Sequence, residues 1–224
     1  MTNVEKALEL VSDGMTLGLG SGKASERFVT ALGDRVRGGL RIRGVPTSSG
    51  TAALARRVGV PLVELNDAMP LDICFDGADE VDPNLDLLKG WGHALVQERV
   101  VAAASKAFVV LIGPENAKVK LVRTLGERGR LPVEVVPFAL ALVVKRLADL
   151  GMPGEPLKKP DGGLFVSDNG NHILEPRVGP IADPARLERD LRDIPGIVGT
   201  GLFLRMAHMV IIEDGGSVEV RRRS

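Results

Sequence analysis

Apolar positions along this chain change their period in a regular way. Residues 15–19 form a short apolar run. Residues 24–36 set Phe28, Ala31, Leu32 and Val36 at the three-and-four spacing of an amphipathic helix. Residues 40–45 alternate as a strand does, and Ser48 or Ser49 stands where a cap would open a helix reaching Arg57. Runs at 61–65, 71–75 and 108–112 read as further strands. Residues 4–11, closed by Asp13-Gly14, and 95–105 read as helices. Strand and helix in alternation predict a parallel sheet covered by helices, a Rossmann-like α/β domain.

The texture changes after Gly126. Residues 133–136 read as a strand, and Pro137 opens a helix to Leu150. A loop rich in glycine and proline follows, at 151–163. Residues 163–166 and 171–174 flank Ser167-Asp168-Asn169-Gly170, which reads as a hairpin. Asp183-Pro184 supplies a cap and a first-turn proline for another helix, and 196–198 another strand. These pieces predict a smaller α+β domain, ferredoxin-like in pattern, over 127–200. The runs at 207–212 and 217–220 are expected to rejoin the first domain, which then comprises 1–126 and 201–224. Arg221 to Arg223 read as a solvated tail.

Composition narrows the function. The chain has 224 residues, with 29 basic against 29 acidic side chains. Zero net charge argues against a nucleic-acid partner, which leaves a basic footprint. No apolar run is long enough to span a bilayer, and the N-terminus lacks a signal pattern, so no membrane partner is expected. The sole cysteine, Cys74, cannot form an internal disulfide, which points to a reducing, cytoplasmic setting. His93, His172 and His208 are dispersed without metal-ligand spacing, so no metal is expected.

Candidate chemistry lies at the ends of the predicted strands. Gly18-Leu19-Gly20-Ser21-Gly22-Lys23 follows a strand and precedes a helix. Glycines there let backbone N–H groups approach an anion, and the helix start adds its positive end. A P-loop fails at Leu17 and Ala24, and a dinucleotide fingerprint fails because the third glycine, Gly22, comes one residue early. A phosphate or sugar-phosphate cradle is preferred to a plain tight turn. Pro46-Thr47-Ser48-Ser49-Gly50-Thr51 is a second hydroxyl-rich turn. Its hydroxyls either cap the helix or join the first turn in one crevice, where open α/β sheets bind ligands.

The stretch Phe75-Asp76-Gly77-Ala78-Asp79-Glu80 delivers carboxylates into a turn, followed by Lys89-Gly90-Trp91-Gly92 and then Glu98. An aspartate after a strand is often a turn former, and a loop lysine is often only solvated. Acid, base and cation within one window are nonetheless the parts for proton transfer on a small anionic substrate. Glu98 has Ala94, Leu95, Val101 and Ala102 as its helical neighbours. Desolvation there would raise its pKa towards that of a general base. The competing reading pairs it with Arg99 or Arg128. Lys89 would neutralise developing negative charge.

With these residues in place, the chain resembles the type A ribose-5-phosphate isomerase family over nearly its whole length. The matching pieces are GLGSG (18–22), VPTSSGTAALA (45–55), FDGADEVD (75–82), LLKGWGHALVQERV (87–100), LPVEVVPFA (131–139), SDNGNHILE (167–175) and GLFLRMA (201–207). The resemblance implies interconversion of D-ribose 5-phosphate and D-ribulose 5-phosphate, in the pentose phosphate pathway, without metal or organic cofactor. It implies Glu98 as general base, Asp76 and Lys89 in ring opening and enediolate stabilisation, and Asp79 as a substrate-orienting carboxylate. Ser21, Gly22, Lys23 and Ala24 match the substrate and phosphate loop, and Lys120 matches a lysine placed towards the phosphate. Gly77, Ala78, Gly90, Trp91 and Gly92 complete the expected substrate-binding set. A homodimer or homotetramer is implied as well. The chain departs from the family's usual residues at Lys23 and Ala24, where hydroxyls are usual, at His93, usually glycine, and at Trp91, usually small or aliphatic. Isomerisation of another sugar phosphate, or non-catalytic binding of one, are the rival readings.

Overall fold

Three apolar runs of the first hundred residues, at 15–19, 40–45 and 71–75, become neighbouring strands of one sheet. In chain order the elements are α1 (Asn3–Leu8), β1 (Thr16–Leu19), α2 (Lys23–Arg37), β2 (Arg43–Pro46), α3 (Ser49–Val58), β3 (Leu71–Asp76), β4 (Glu80–Val81), β5 (Leu87–Leu88), α4 (Leu95–Ala103) and β6 (Ser105–Ile112). They continue with α5 (Ala117–Lys120), β7 (Val133–Val135), α6 (Leu140–Asp149), β8 (His172–Leu174), α7 (Pro184–Arg192), β9 (Ile197–Thr200), β10 (Leu202–Phe203), β11 (Met209–Asp214) and β12 (Ser217–Arg222). The computed structural model describes residues 1–115 and 117–223. The chain divides into two compact units. One is Met1–Ala78, Gln97–Leu121 and Arg205–Ser224; the other is Asp79–Val96 and Val122–Leu204.

In the first unit the sheet runs β12-β11-β6-β3-β1-β2. All its pairings are parallel except β11 with β12. Every residue of β1 is buried, as expected for a central strand covered on both faces. Phe28 of α2 stacks on Phe75 of β3 with ring centroids 4.3 Å apart, and Leu17, Leu19 and Leu32 pack in the same core. Helix α3 begins at Ser48, whose hydroxyl accepts the Thr51 N–H, and ends at Gly59 in the left-handed region. The run at 61–65 does not become a strand. It makes one bridge, Leu62 with Gly44, and passes into a 3-10 turn at Leu65–Asp67. Pro61 has no N–H to extend the ladder. Nor is Arg221 to Arg223 a tail: Arg221 and Arg222 belong to β12, and the Arg223 N–H donates to the His208 carbonyl.

The second unit holds two small antiparallel sheets, β8-β7-β9 and β10-β5-β4. Pro156 bridges Leu174 beyond β8. The larger of the two sheets then orders as Pro156, β8, β7, β9, with α6 and α7 as crossovers. That is the split βαβ pattern of a ferredoxin-like unit. Its core gathers Leu131, Val133, Val143, Leu147, Leu191 and Leu202. The expected hairpin of 163–166 with 171–174 is re-paired. The Phe165 N–H donates to Leu157 and the Leu157 N–H to Ile173, so residues near 157 lie between the two segments. The turn at 167–171 is gathered instead by Glu134. This fully buried carboxylate accepts hydrogen bonds from Ser167 Oγ (2.8 Å) and from the Asn169 and Asn171 side-chain amides (2.9 Å each).

Candidate active site

In the first unit, β1 and β3 pair in parallel with Leu19 opposite Phe75, so the turns that follow them start side by side. The Gly20 N–H donates to the Phe75 carbonyl at 2.8 Å. One residue on from Phe75, Asp76 is completely buried. Its Oδ1 accepts from the Ser21 N–H (3.0 Å), the Gly77 N–H (2.7 Å) and Ser25 Oγ (3.1 Å). Three donors on one oxygen fix how this carboxylate is turned. Gly20 has to be glycine, because a Cβ there would overlap the Asp76 carboxyl.

The two hydroxyl-bearing turns do converge. Ser21 Oγ lies 2.8 Å from Thr47 Oγ1, 2.9 Å from Ser48 Oγ and 3.2 Å from Thr51 Oγ1. Thr51 Oγ1 in turn donates to the Gly20 carbonyl at 3.0 Å. Gly22, at φ 83°, starts α2 with no side-chain cap. The first-turn N–H groups are therefore left for solvent or an anion. Lys23 is exposed, Ala24 half-buried. Lys120, at the end of α5, donates from Nζ to the Ala78 carbonyl at 2.6 Å, which places it at the Asp76-Gly77-Ala78 turn. Glu98 on α4 is only 4% exposed, and Val101 and Ala102 beside it are buried too.

Asp79, Lys89, Gly90, Trp91 and Gly92 belong to the second unit. The Asp79 N–H donates to the Leu88 carbonyl (2.9 Å), and its Oδ2 accepts the Trp91 N–H (3.0 Å). Lys89 is 3% exposed. Its N–H donates to Gly201, and its ammonium stands 5.5 Å from the Phe203 ring centroid. Gly90 sits at φ 107°, and a Cβ there would press on Leu95 and Pro132 at 3.1 and 3.2 Å.

Several roles went unrecognised in the sequence, where Arg128 stood only as a possible partner of Glu98. Ser25 looks like any polar position on α2, yet it is fully buried against Asp76. Arg128, far along the chain, donates to the Asp79 carbonyl at 2.8 Å. Glu80 is fully buried and accepts the N–H groups of Gly126 and Arg128; burial pushes its carboxyl above the usual range. Its one local signal was a charge beside buried Val81. Among the described residues no three His, Cys, Asp or Glu side chains are grouped to hold a metal. No helix of the described residues is long and apolar enough to cross a membrane.

Fold and side chains define a class: a Rossmann-like α/β protein with a hydroxyl-rich loop at a helix start, buried carboxylates and a buried lysine. Comparison with known proteins narrows it. The model of the family Ribose 5-phosphate isomerase A (phosphoriboisomerase A) matches residues 43–216. A ribose-5-phosphate isomerase A from Thermomicrobium roseum is 48% identical over 221 residues, covering 97% of this chain and 91% of that protein. The structure of ribose 5-phosphate isomerase A from Methanocaldococcus jannaschii superposes with a TM-score of 0.92 at 36% identity, covering 99% of this chain and 96% of that one. A D-ribose-5-phosphate isomerase in complex with phospho-erythronic acid superposes equally well, at 34% identity and the same coverage. The chain belongs to the ribose 5-phosphate isomerase A family.

Proposed function

We propose that this aldose–ketose isomerase interconverts D-ribose 5-phosphate and D-ribulose 5-phosphate through an enediol, with Glu98 as the general base. The observation that carries the reading is the burial of Glu98. A carboxylate sheltered from water is a stronger base towards a carbon-bound proton than a solvated one. Asp76 assists opening of the furanose ring. Glu98 then takes the C2 proton, the hydroxyl proton passes from O2 to O1, and Glu98 returns its proton to C1. Electrons move only within the sugar, so no external oxidant or reductant is required. Lys89 offsets the charge that develops on the enediolate oxygens, and Asp79 orients the substrate. The loop at Ser21 to Ala24 and Lys120 receive the phosphate. The relative solved with phospho-erythronic acid supports a phosphorylated sugar as the ligand class. Family membership further supports a cytoplasmic place in the pentose phosphate pathway, a homodimer or homotetramer, and chemistry without metal or organic cofactor.

The test is Glu98→Gln, nearly isosteric but unable to accept the proton, assayed for ribulose 5-phosphate formation in the presence of EDTA. Turnover should fall by ~10²–10⁴-fold with the fold and substrate affinity kept. Near-normal turnover in the variant would remove Glu98 from the role of base. Loss of parent activity on chelation, restored by one divalent metal, would favour a metal-assisted hydride shift.

A further inference from the structure

The turn that follows Lys89 is held by side chains that the proposed chemistry does not use. The Trp91 ring has the Arg128 guanidinium 4.3 Å and the Arg130 guanidinium 4.1 Å from its centroid. Both guanidiniums stand within cation–π range of the indole. Each attracts the electron-rich face of the indole. The indole N–H is buried and meets no acceptor among the described residues, so the ring faces are what orient this side chain. Both arginines are anchored in turn. Arg128 donates to the Asp79 carbonyl, and Arg130 donates to Glu175 Oε2 at 3.0 Å. Glu175 Oε1 also stands 3.4 Å from His93 Nε2. His93 is held at φ 63°, a backbone conformation a side chain rarely takes.

The Trp91 main-chain N–H ends this chain of contacts on Asp79 Oδ2. Trp91 lies between Gly90 and Gly92, which leave the backbone free to turn. The clamp on the ring supplies the orientation that the glycines do not. We propose that Trp91 is a positioning residue for Asp79, and that its clamp by Arg128 and Arg130 governs how the substrate is oriented. The proposal rests on Asp79 as the substrate-orienting carboxylate.

The experiment is a double-mutant cycle in steady-state kinetics with ribose 5-phosphate, using Trp91→Leu, Asp79→Asn and the double variant. Trp91→Leu should raise KM about tenfold and change kcat far less. Trp91→Phe, which keeps an aromatic face, should recover most of that loss. The pH profile of kcat should not move, because Glu98 is untouched. In the Asp79→Asn background, Trp91→Leu should add less than about twofold, since its effect passes through the carboxylate already removed. An undiminished penalty in that background, or a Trp91→Leu variant with parental KM, overturns the proposal. An Asp79→Asn variant with parental kinetics overturns instead the reading of Asp79 on which it rests. Should Trp91→Leu fail to fold, Arg130→Gln strips one cation from the ring and reads the same coupling.

Discussion

Lys23 is where the chemistry of one residue most alters the expected picture. It is the first residue of α2 and lies exposed after an uncapped glycine. A cation there opposes the helix dipole by ~0.3–1 kcal/mol, and a bound phosphate dianion reverses that balance. Lys23→Ala should therefore raise KM for ribose 5-phosphate about fivefold, equivalent to roughly 1 kcal/mol, with kcat nearly unchanged. The protein without ligand should be as stable as the parent or slightly more so. Steady-state kinetics and thermal unfolding read both, and an unchanged KM would show that Lys23 serves only solvent. Glu98 stood out in the sequence as a charge in apolar company, and Asp76 as one of a carboxylate pair that follows a strand. Ser25 and Arg128 did not, because nothing local to either marks the carboxyl or carbonyl it reaches.

Among elements, β3 shows how a polar side chain ties strands together. Asp72 accepts the Thr16 N–H of β1 at 2.9 Å and the Lys106 ammonium of β6 at 2.8 Å. The Lys106 hydrogen bond, then that of Thr16, holds its carboxyl below the usual aspartate range. A depressed folded pKa means stability that is present above the unfolded value and lost as pH falls through the folded one. Asp72→Asn should cost ~0.2–1 kcal/mol at neutral pH, the pair being partly solvent-exposed. The gap to the parent should close in acid, below the ordinary aspartate range, as denaturant unfolding across pH would show. A gap that persists there would mean that shape, not charge, sets the role of Asp72. Most long elements were legible because period and caps are local properties, as at Ser48 and Asp183. The two-residue strands β4, β5 and β10 were not, since two residues carry no period.

At the scale of the whole molecule, each unit has its own apolar core. In the second, Leu147 of α6 is fully buried among Val133, Val143 and Leu191. Leu147→Ala should cost ~2–5 kcal/mol, measured by urea unfolding, through lost burial and the cavity left behind. A loss below about 1 kcal/mol would show that the surrounding side chains collapse into the space. The order of the sheets was only partly readable. That the runs at 207–212 and 217–220 are strands followed from their apolar character, and they become β11 and β12 of the six-stranded sheet. That residues near 157 lie between the two arms of an expected hairpin did not, because Glu134, more than thirty residues earlier, captures the turn at Ser167.

The sequence by itself determined what depends on neighbours in the chain: apolar runs that become covered strands, caps that start helices, and the motif order that places the chain in its family. The tertiary structure decided which distant groups meet. It brought Ser21 to Thr47 and Thr51, Lys120 to Ala78, and Arg128 and Arg130 to Trp91. Such contacts form only when sheets and loops close over long separations. Their partners are chosen by space and charge in the folded chain, and leave no period along it.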